Sequence, residues 1–439
     1  MRAMIMESIV HIPPVYRILL VFLLVLLASR ARVPLGVGLV FGGMAIDLWG
    51  GKTMPGIGVD LLHALARPEL WLLVLNISLI LEFGYFMAHE PNSRAILAAS
   101  RKLGGKNGRA VSLVLIPAAI GLVPMPGGAL FSAPLVGETV REKQLSPAWK
   151  VAVNYWFRHI FEYWWPLYPV VIVSLSIFTL TTWQFFSLQI PFTLVSLGAG
   201  WFFLLRRNTA LLADDSLPGD GEAGRLGPVL APILLVVLCT LLLPAPVRMI
   251  LPGAGPATAK LLAMSVGLAL SLGLIRLGSR ADGEFRLFSN FFSAKTANVV
   301  FTLGGVMVFQ ALLDASGLLP LAGKQLSDSA VPLVMVIGFL PFLAGLVTGI
   351  AIGFAGPAFP LVVGLMAGDP TLSQASVLVL AFSMGYAGMM LSPVHLCYVL
   401  TRRYFVSGLF QSYRYILPCV LTVVAWGVVM HVVLHAWGW

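Results

Sequence analysis

"GLVPMPGGALFSAP", residues Gly121 to Pro134, lies in an apolar region yet holds Pro124, Pro126 and Pro134 together with Gly121, Gly127 and Gly128. Proline removes a helical donor and clashes with the preceding turn, and glycine weakens a helix interior. One straight membrane-spanning helix is therefore excluded here. A stretch apolar enough for lipid but unable to run as one helix is expected to turn back on itself. Its non-helical tip must then be buried in protein or line a polar cavity.

The surrounding chain identifies the solvent. Of 439 residues, 59% are hydrophobic and 10% charged, against about 25% charged in soluble domains, and the mean hydropathy is +0.93. Apolar runs near the ~20 residues needed to cross a bilayer recur along the whole length, so the first is not a removable signal ahead of a soluble enzyme. Ten spans are predicted: Val15 to Leu27, Pro34 to Trp49, Leu70 to Met87, Pro147 to Leu180, Phe185 to Leu205, Val229 to Leu243, Thr258 to Ile275, Phe288 to Leu313, Gln374 to Leu400 and Tyr415 to His435. Two further stretches, 110–136 and 331–366, are interrupted by Gly and Pro and are predicted as re-entrant hairpins.

Charge supports the hairpins independently. If each leaves on the side it entered, 19 of the 28 Lys and Arg residues collect on one side, including Arg94, Arg101, Lys102, Lys106, Arg109, Arg141, Lys143, Lys150, Arg206, Arg207, Arg402, Arg403 and Arg414. Counting either stretch as an ordinary span inverts all that follows and spoils the segregation. The basic side is assigned to the cytoplasm, which places both termini outside and the chain in the inner (plasma) membrane. The net charge of +10 forms no basic stripe with interleaved aromatics, so the expected surroundings are a lipid bilayer and not a nucleic acid.

"NTALLADDSLPGDGEAGRLG", Asn208 to Gly227, reads as a cytoplasmic linker between 1–207 and 228–439. Both halves have the order three spans, hairpin, long broken span, final span, and five spans per half set the copies in opposite orientation. "GLVTGIAIGFAGPAFP", Gly345 to Pro360, matches the opening stretch in its Gly-Leu-Val and its small-residue tip. Broken spans follow at 147–180, with "NYWFRHIFEYWWPLYP" from Asn154, and at 374–400, with "SMGYAGMMLSPVHL" from Ser383. Aligning Pro166 with Pro393 sets Arg158, His159 and Glu162 against Gly385, Tyr386 and Met389. As one helix, Ser146 to Leu180 would reach ~52 Å at 1.5 Å per residue, so a break or strong tilt is required.

The stretches "LVPMPGGALFSAP" and "GMMLSPVHLCYVLT" resemble an uncharacterised family of ten-span integral membrane proteins, a domain of unknown function (number 401) within the ion transporter superfamily. The resemblance covers essentially the whole chain and is most specific at Pro-Met-Pro-Gly-Gly. It implies kinship of fold with gluconate permeases, arsenite and sodium/proton transporters and dicarboxylate symporters, which use paired hairpins and an elevator-like displacement. It implies no substrate, because that superfamily moves both anions and cations.

The fold class expected is thus an all-α polytopic membrane protein of two inverted repeats, each with five transmembrane helices and one re-entrant hairpin. Hairpin tips can free carbonyls and point helix N-termini at a common place near the midplane. The predicted substrate site comprises Pro124, Met125, Pro126, Gly127 and Gly128 of the first tip, Thr348, Gly349, Gly353, Gly356 and Pro357 of the second, Asn154 and Arg158 at the first break, and Ser383, Ser392 and His395 at the second. Arg158 and Glu162 are spaced to pair along a helix, and His159 and Glu162 share nearly one face. His159 and Glu162 are the candidates for carrying a proton, with Arg158 drawing in an anion; a structural salt bridge stays open as the other reading.

Other polar residues read as structural. Asn76 and Glu82 are placed in interhelical hydrogen bonding or on a cavity wall, Lys295 at an interface, and Asp47 and Asp314 at solvated outer span ends. "GVGLVFGG" from Gly36 is a close-packing face and a candidate dimer surface. His431 and His435 lack an accompanying carboxylate, and Cys239, Cys397 and Cys419 have no metal-ligand spacing, so no metal site is predicted. No Walker motif, nucleophile elbow or HExxH occurs, and neither an enzyme nor a cofactor is expected. The function expected is ion-coupled secondary transport of a small solute, an organic anion, by a homodimer, with Na+ or H+ as coupling ion. Cation/proton antiport through Glu162, and flipping or processing of an anionic lipid headgroup, are the alternatives.

Overall fold

The computed structural model describes residues 12–88, 108–122, 128–208, 227–278, 288, 291, 293–329, 331–366 and 369–439. Every regular element among them is a helix. Up to residue 208 come α1 (Pro14–Arg30), α2 (Leu35–Trp49), α3 (Met54–Ala66), α4 (Pro68–Ala88), α5 (Gly108–Gly121), α6 (Ala129–Thr139), α7 (Pro147–Arg158), α8 (Pro169–Ile177) and α9 (Thr182–Gly200). After it come α10 (Gly227–Leu242), α11 (Pro244–Ile250), α12 (Pro256–Gly278), α13 (Ala294–Ala315), α14 (Leu318–Ser327), α15 (Leu333–Thr348), α16 (Ala351–Leu365), α17 (Gln374–Leu391), α18 (Leu396–Tyr404) and α19 (Tyr413–Ala436).

Of the ten predicted spans, five fall on helical segments long and apolar enough to cross a membrane, one of them interrupted between α17 and α18, and seven do if each of two bent pairs counts as one span. The difference has identifiable causes. Helix α2 has 15 residues, about 22 Å at 1.5 Å per residue. Residues 147–180 form two short helices, and 229–250 bends by 55° between α10 and α11. The segment between the second and third spans, read as a connection, forms α3 and meets α4 at 52°. Thr53 caps α3, its side chain accepting from Gly56 N.

Leu23, Leu24 and Leu27 of α1, Leu234 and Leu238 of α10, Leu270 and Leu274 of α12, and Leu421 and Val432 of α19 are exposed. Apolar faces on this scale belong against lipid, and their inner sides pack into one continuous core. Interhelical polar bonds tie the outer helices together. Asn76 on α4 donates to Leu261 O of α12 at 2.9 Å and accepts from Ser265 Oγ at 3.1 Å, the interhelical reading of this residue. Asn76→Ala is expected to lower stability by about 1 kcal/mol in detergent, measured by thermal unfolding. Glu82 is buried and accepts from Phe288 N at 2.7 Å.

Two readings change. Asp47, expected in solvent, is fully buried, because α2 ends against the other helices and not at a free surface; Asp314 is exposed as expected. The glycine face of α2 is occupied within the chain. A Cβ on Gly36 would lie 2.6 Å from Phe301 O of α13, and Gly42 and Gly43 lie against Val25 of α1 and Leu312 of α13. That face is not left over for a second copy. The side chain of Lys295 lies outside the described residues.

The interrupted stretches both form helix pairs whose arms pack on one another, α5 on α6 and α15 on α16. Each first arm also packs on the following broken span, α5 on α7 and α15 on α17. The second helix of each broken span crosses to the other half, α8 onto α16 and α18 onto α6. Four short pairs thereby enclose the two breaks. Lys260 of α12 anchors this group, its buried ammonium donating to Leu175 O at 3.0 Å and Leu180 O at 2.6 Å beyond the end of α8.

Candidate functional site

Each broken span leaves helical geometry over a stretch that contains its proline, Pro166 or Pro393. Helix α7 is started by Pro147 at its first turn and by Ser146, whose side chain accepts from Trp149 N. It stops at Arg158, and turns occupy the chain to Tyr168, across Pro166; Tyr168 is extended ahead of Pro169, which opens α8. Helix α17 carries a Ser373/Ser376 capping box and stops at Leu391 because Ser392, preceding Pro393, is driven to φ −71°, ψ 124°. Helix α18 then restarts at Leu396.

The ionisable cluster therefore sits at the break and not on a helix face. His159 is the C-cap of α7, and Glu162 lies in the following turn, its N donating to His159 O at 3.2 Å. The i, i+4 helical pairing expected for Arg158 and Glu162 is replaced by this turn. His159 Nε2 is 3.9 Å from Glu162 Oε1, while His159 Nδ1 is 2.6 Å from Tyr155 O. Arg158, His159, Glu162 and His395 are 3%, 1%, 8% and 6% exposed. Four such groups withdrawn from water are costly unless they serve one another or a ligand.

The second break closes on the first. The His395 ring packs edge-on against His159 at 4.8 Å and against Tyr155 at 5.1 Å. The sulfur of Cys397 and one ring nitrogen from each of His159 and His395 all lie within 4.8 Å of one another. Tyr386 OH donates to His159 O at 3.4 Å, and Tyr155 OH to Met390 O at 3.2 Å. His395 is thus with the cluster. Local spacing marks none of the three cysteines as a metal ligand, and all three are buried, but Cys397 is buried beside two histidines. The signal available in the sequence was its position four residues after the second span-breaking proline.

The hairpin arms reach the breaks by equivalent contacts. A Cβ on Gly121 would overlap Arg158 O, and a Cβ on Gly345 would overlap Gly385 O. Trp165 Nε1 donates to Leu122 O at 2.9 Å, and Ser392 Oγ to Leu346 O at 2.7 Å. Arg158 and Gly385, and likewise Trp165 and Ser392, are partners in the alignment of Pro166 with Pro393. Gly121-Leu122 and Gly345-Leu346 are the shared start of the two hairpin stretches. Two contacts therefore recur at aligned positions. Tyr168 OH also donates to Gly121 O.

The remaining predicted residues that are described separate into four groups. Gly349 closes α15 with φ +66° and lies against Ser392 and His395, where a Cβ would meet His395 N at 2.9 Å. It and Ser392 belong to the second break. Asn154 donates to Thr401 Oγ1 of α18 at 3.0 Å and to Ala129 O of α6 at 3.3 Å, and Gly128 is the N-cap of α6. These residues line the crossing of the first hairpin with the second broken span. Thr348, whose hydroxyl donates to Ala344 O at 2.7 Å, and Gly353, which lies against Thr348, complete the second tip. Gly356 faces Val306 of α13, Pro357 is buried within α16, and Ser383 donates to Leu380 O and packs at Gly427 of α19. Those three serve packing between helices. Pro124, Met125, Pro126 and Gly127 lie outside the described residues.

A surface cavity of about 670 Å³ lies elsewhere, at the start of α7, lined by Gln144, Trp149, Arg207, Asn208, Arg414 and Tyr415 among others. It does not include the cluster. The family described as "Protein of unknown function (DUF401)" matches residues 17–434. No curated protein matches the chain.

Proposed function

We propose that this chain, which belongs to the DUF401 family of proteins of unknown function, is an ion-coupled secondary transporter of a small organic anion. The observation that carries the reading is the buried Arg158/His159/Glu162/His395 cluster, lying where two broken helices meet under two helix-pair tips. Intramembrane ionisable groups at discontinuous helices mark solute and ion paths. Arg158 supplies a cation for a carboxylate, and the turns at both breaks supply backbone dipoles that no continuous helix offers.

The contacts that recur at aligned positions support two inverted repeats, 1–207 and 228–439, joined by the 208–227 linker, with each interrupted stretch a re-entrant hairpin. The short helices around the breaks would form the moving body and the outer helices a scaffold. Coupling is to Na+ or H+, with His159 and Glu162 as the candidates for carrying a proton. The segregation of Lys and Arg supports a position in the inner membrane with both termini outside. A homodimer would have to use scaffold faces other than the glycine side of α2. No catalytic role is assigned to any residue.

Cation/proton antiport remains the second reading, favoured by the buried Glu162, one of whose oxygens has no hydrogen-bond partner. A panel of organic anions and inorganic cations, each with and without sodium, separates the two by thermal stabilisation of the purified chain. A ligand at about 100 times its Kd adds about 2.7 kcal/mol to the native state. Stabilisation by at least one mono- or dicarboxylate is expected; stabilisation by cations alone would overturn the anion assignment. A lipid-handling protein would respond only to anionic phospholipid, with no dependence on soluble solutes.

A further inference from the structure

We infer that His159, His395 and Cys397 form a binding site for a thiophilic d10 metal ion, zinc(II) or copper(I), assembled from both halves of the chain. Three donors of the kinds these ions prefer, two imidazoles and a thiolate, have ligand atoms within 4.8 Å of one another. Bonds of about 2.0 to 2.3 Å around a tetrahedral ion place donor atoms about 3.3 to 3.8 Å apart. Closure therefore needs side-chain shifts of about an ångström, without movement of the helices that carry them.

The outer shell is already arranged for it. His159 Nδ1 lies 2.6 Å from Tyr155 O, so Nδ1 carries the proton and Nε2 presents its lone pair, the arrangement that orients most metal-bound histidines. His395 is 94% buried, and its Nδ1 has no hydrogen-bond partner. An unsatisfied ring nitrogen in this position is costly unless a ligand arrives. Glu162, with Oε1 3.9 Å from His159 Nε2 and Oε2 without a hydrogen bond, stands beside the position a fourth ligand would take. When the sulfur–metal bond forms, the Cys397 thiol proton passes to buffer. The thiolate and the Glu162 carboxylate then outweigh the single positive charge of Arg158 and favour a cation between them. Three protein ligands with an open fourth position are the pattern of a site that exchanges ligands, in contrast to the closed four-ligand sites that only hold a fold together.

This inference does not rest on the transport reading, because metal binding is measured at equilibrium in detergent. Cobalt(II) titrated into the reduced, full-length protein is expected to give one equivalent of a sulfur-to-cobalt charge-transfer band, displaced by Zn2+ in one experiment and by Cu+ in a parallel one; the tighter competitor identifies the ion. Cys397→Ser should weaken cobalt binding at least tenfold and remove the band, whereas Cys239→Ser and Cys419→Ser should leave both unchanged. For wild-type protein loaded with one zinc, X-ray absorption should show one sulfur at about 2.3 Å beside nitrogen at about 2.0 Å. That measurement needs no variant, so it decides the matter even where Cys397→Ser does not fold. A shell of oxygen and nitrogen only, or a band that survives Cys397→Ser, would overturn the site.

Discussion

Arg158→Gln is expected to abolish the thermal stabilisation that organic anions give the wild-type chain, weakening their binding by about thirtyfold or more. The magnitude follows from the setting. Removing one partner of a buried, hydrogen-bonded charge pair costs about 2 to 5 kcal/mol, and each 1.4 kcal/mol is about tenfold in affinity. Arg158 is 3% exposed at the end of α7, so no bulk water is at hand to replace the lost guanidinium. Arg158→Lys should recover part of the affinity through charge alone, without the planar fork that matches a carboxylate. Arg207→Gln removes an exposed cation from the separate surface cavity and should leave anion binding unchanged. The melting point of each variant without ligand separates loss of the site from loss of the fold. A folded Arg158→Gln protein that the same anions stabilise within threefold of wild type would remove Arg158 from solute binding.

The parts of this architecture that depend on proline and on hydropathy were legible in the sequence. Pro166 and Pro393 mark both breaks because a proline excludes a helical hydrogen bond wherever it falls and pushes the preceding residue toward extended geometry. Ser392 shows this directly. What depends on which face of a helix points where was not legible. Ser383 and Ser392 looked like companions, yet nine residues of helix separate them by about 13 Å, and Ser383 faces α19. Asp47 sits at a helix end, which in sequence looks like a water boundary; tertiary packing buries it. Helix α3 was hidden because Asp60 and His63 made an amphipathic helix look like a polar connection. The Cys397 cluster was hidden for a different reason. Metal-ligand spacing is a local pattern, and this group takes one residue from the first half and two from the second.

Gly121→Val and Gly345→Val are each expected to lower stability by about 3 kcal/mol or more, by similar amounts, and in most preparations to prevent recovery of monodisperse protein. Overpacking of a core costs about 1 to 3 kcal/mol when side chains can move aside. Here the atoms met are backbone, the carbonyl of Arg158 in one half and that of Gly385 in the other, and both belong to helices whose position is set by many other contacts. Relief would require the first arm of a helix pair to lift off its broken span, stretching the bonds from Trp165 to Leu122 and from Ser392 to Leu346. Gly273→Ala is the control. A Cβ there meets nothing within 4 Å, and replacing an unhindered helical glycine by alanine gains about 0.5 to 1 kcal/mol. Thermal unfolding in detergent reads all three. The equality of the first two effects carries the meaning, since unrelated packing sites would respond unequally, whereas two copies of one device respond alike. A Gly345→Val protein as stable as wild type beside a disabled Gly121→Val protein would show that the recurring contact is coincidental, and with it would go the main structural support for two equivalent halves.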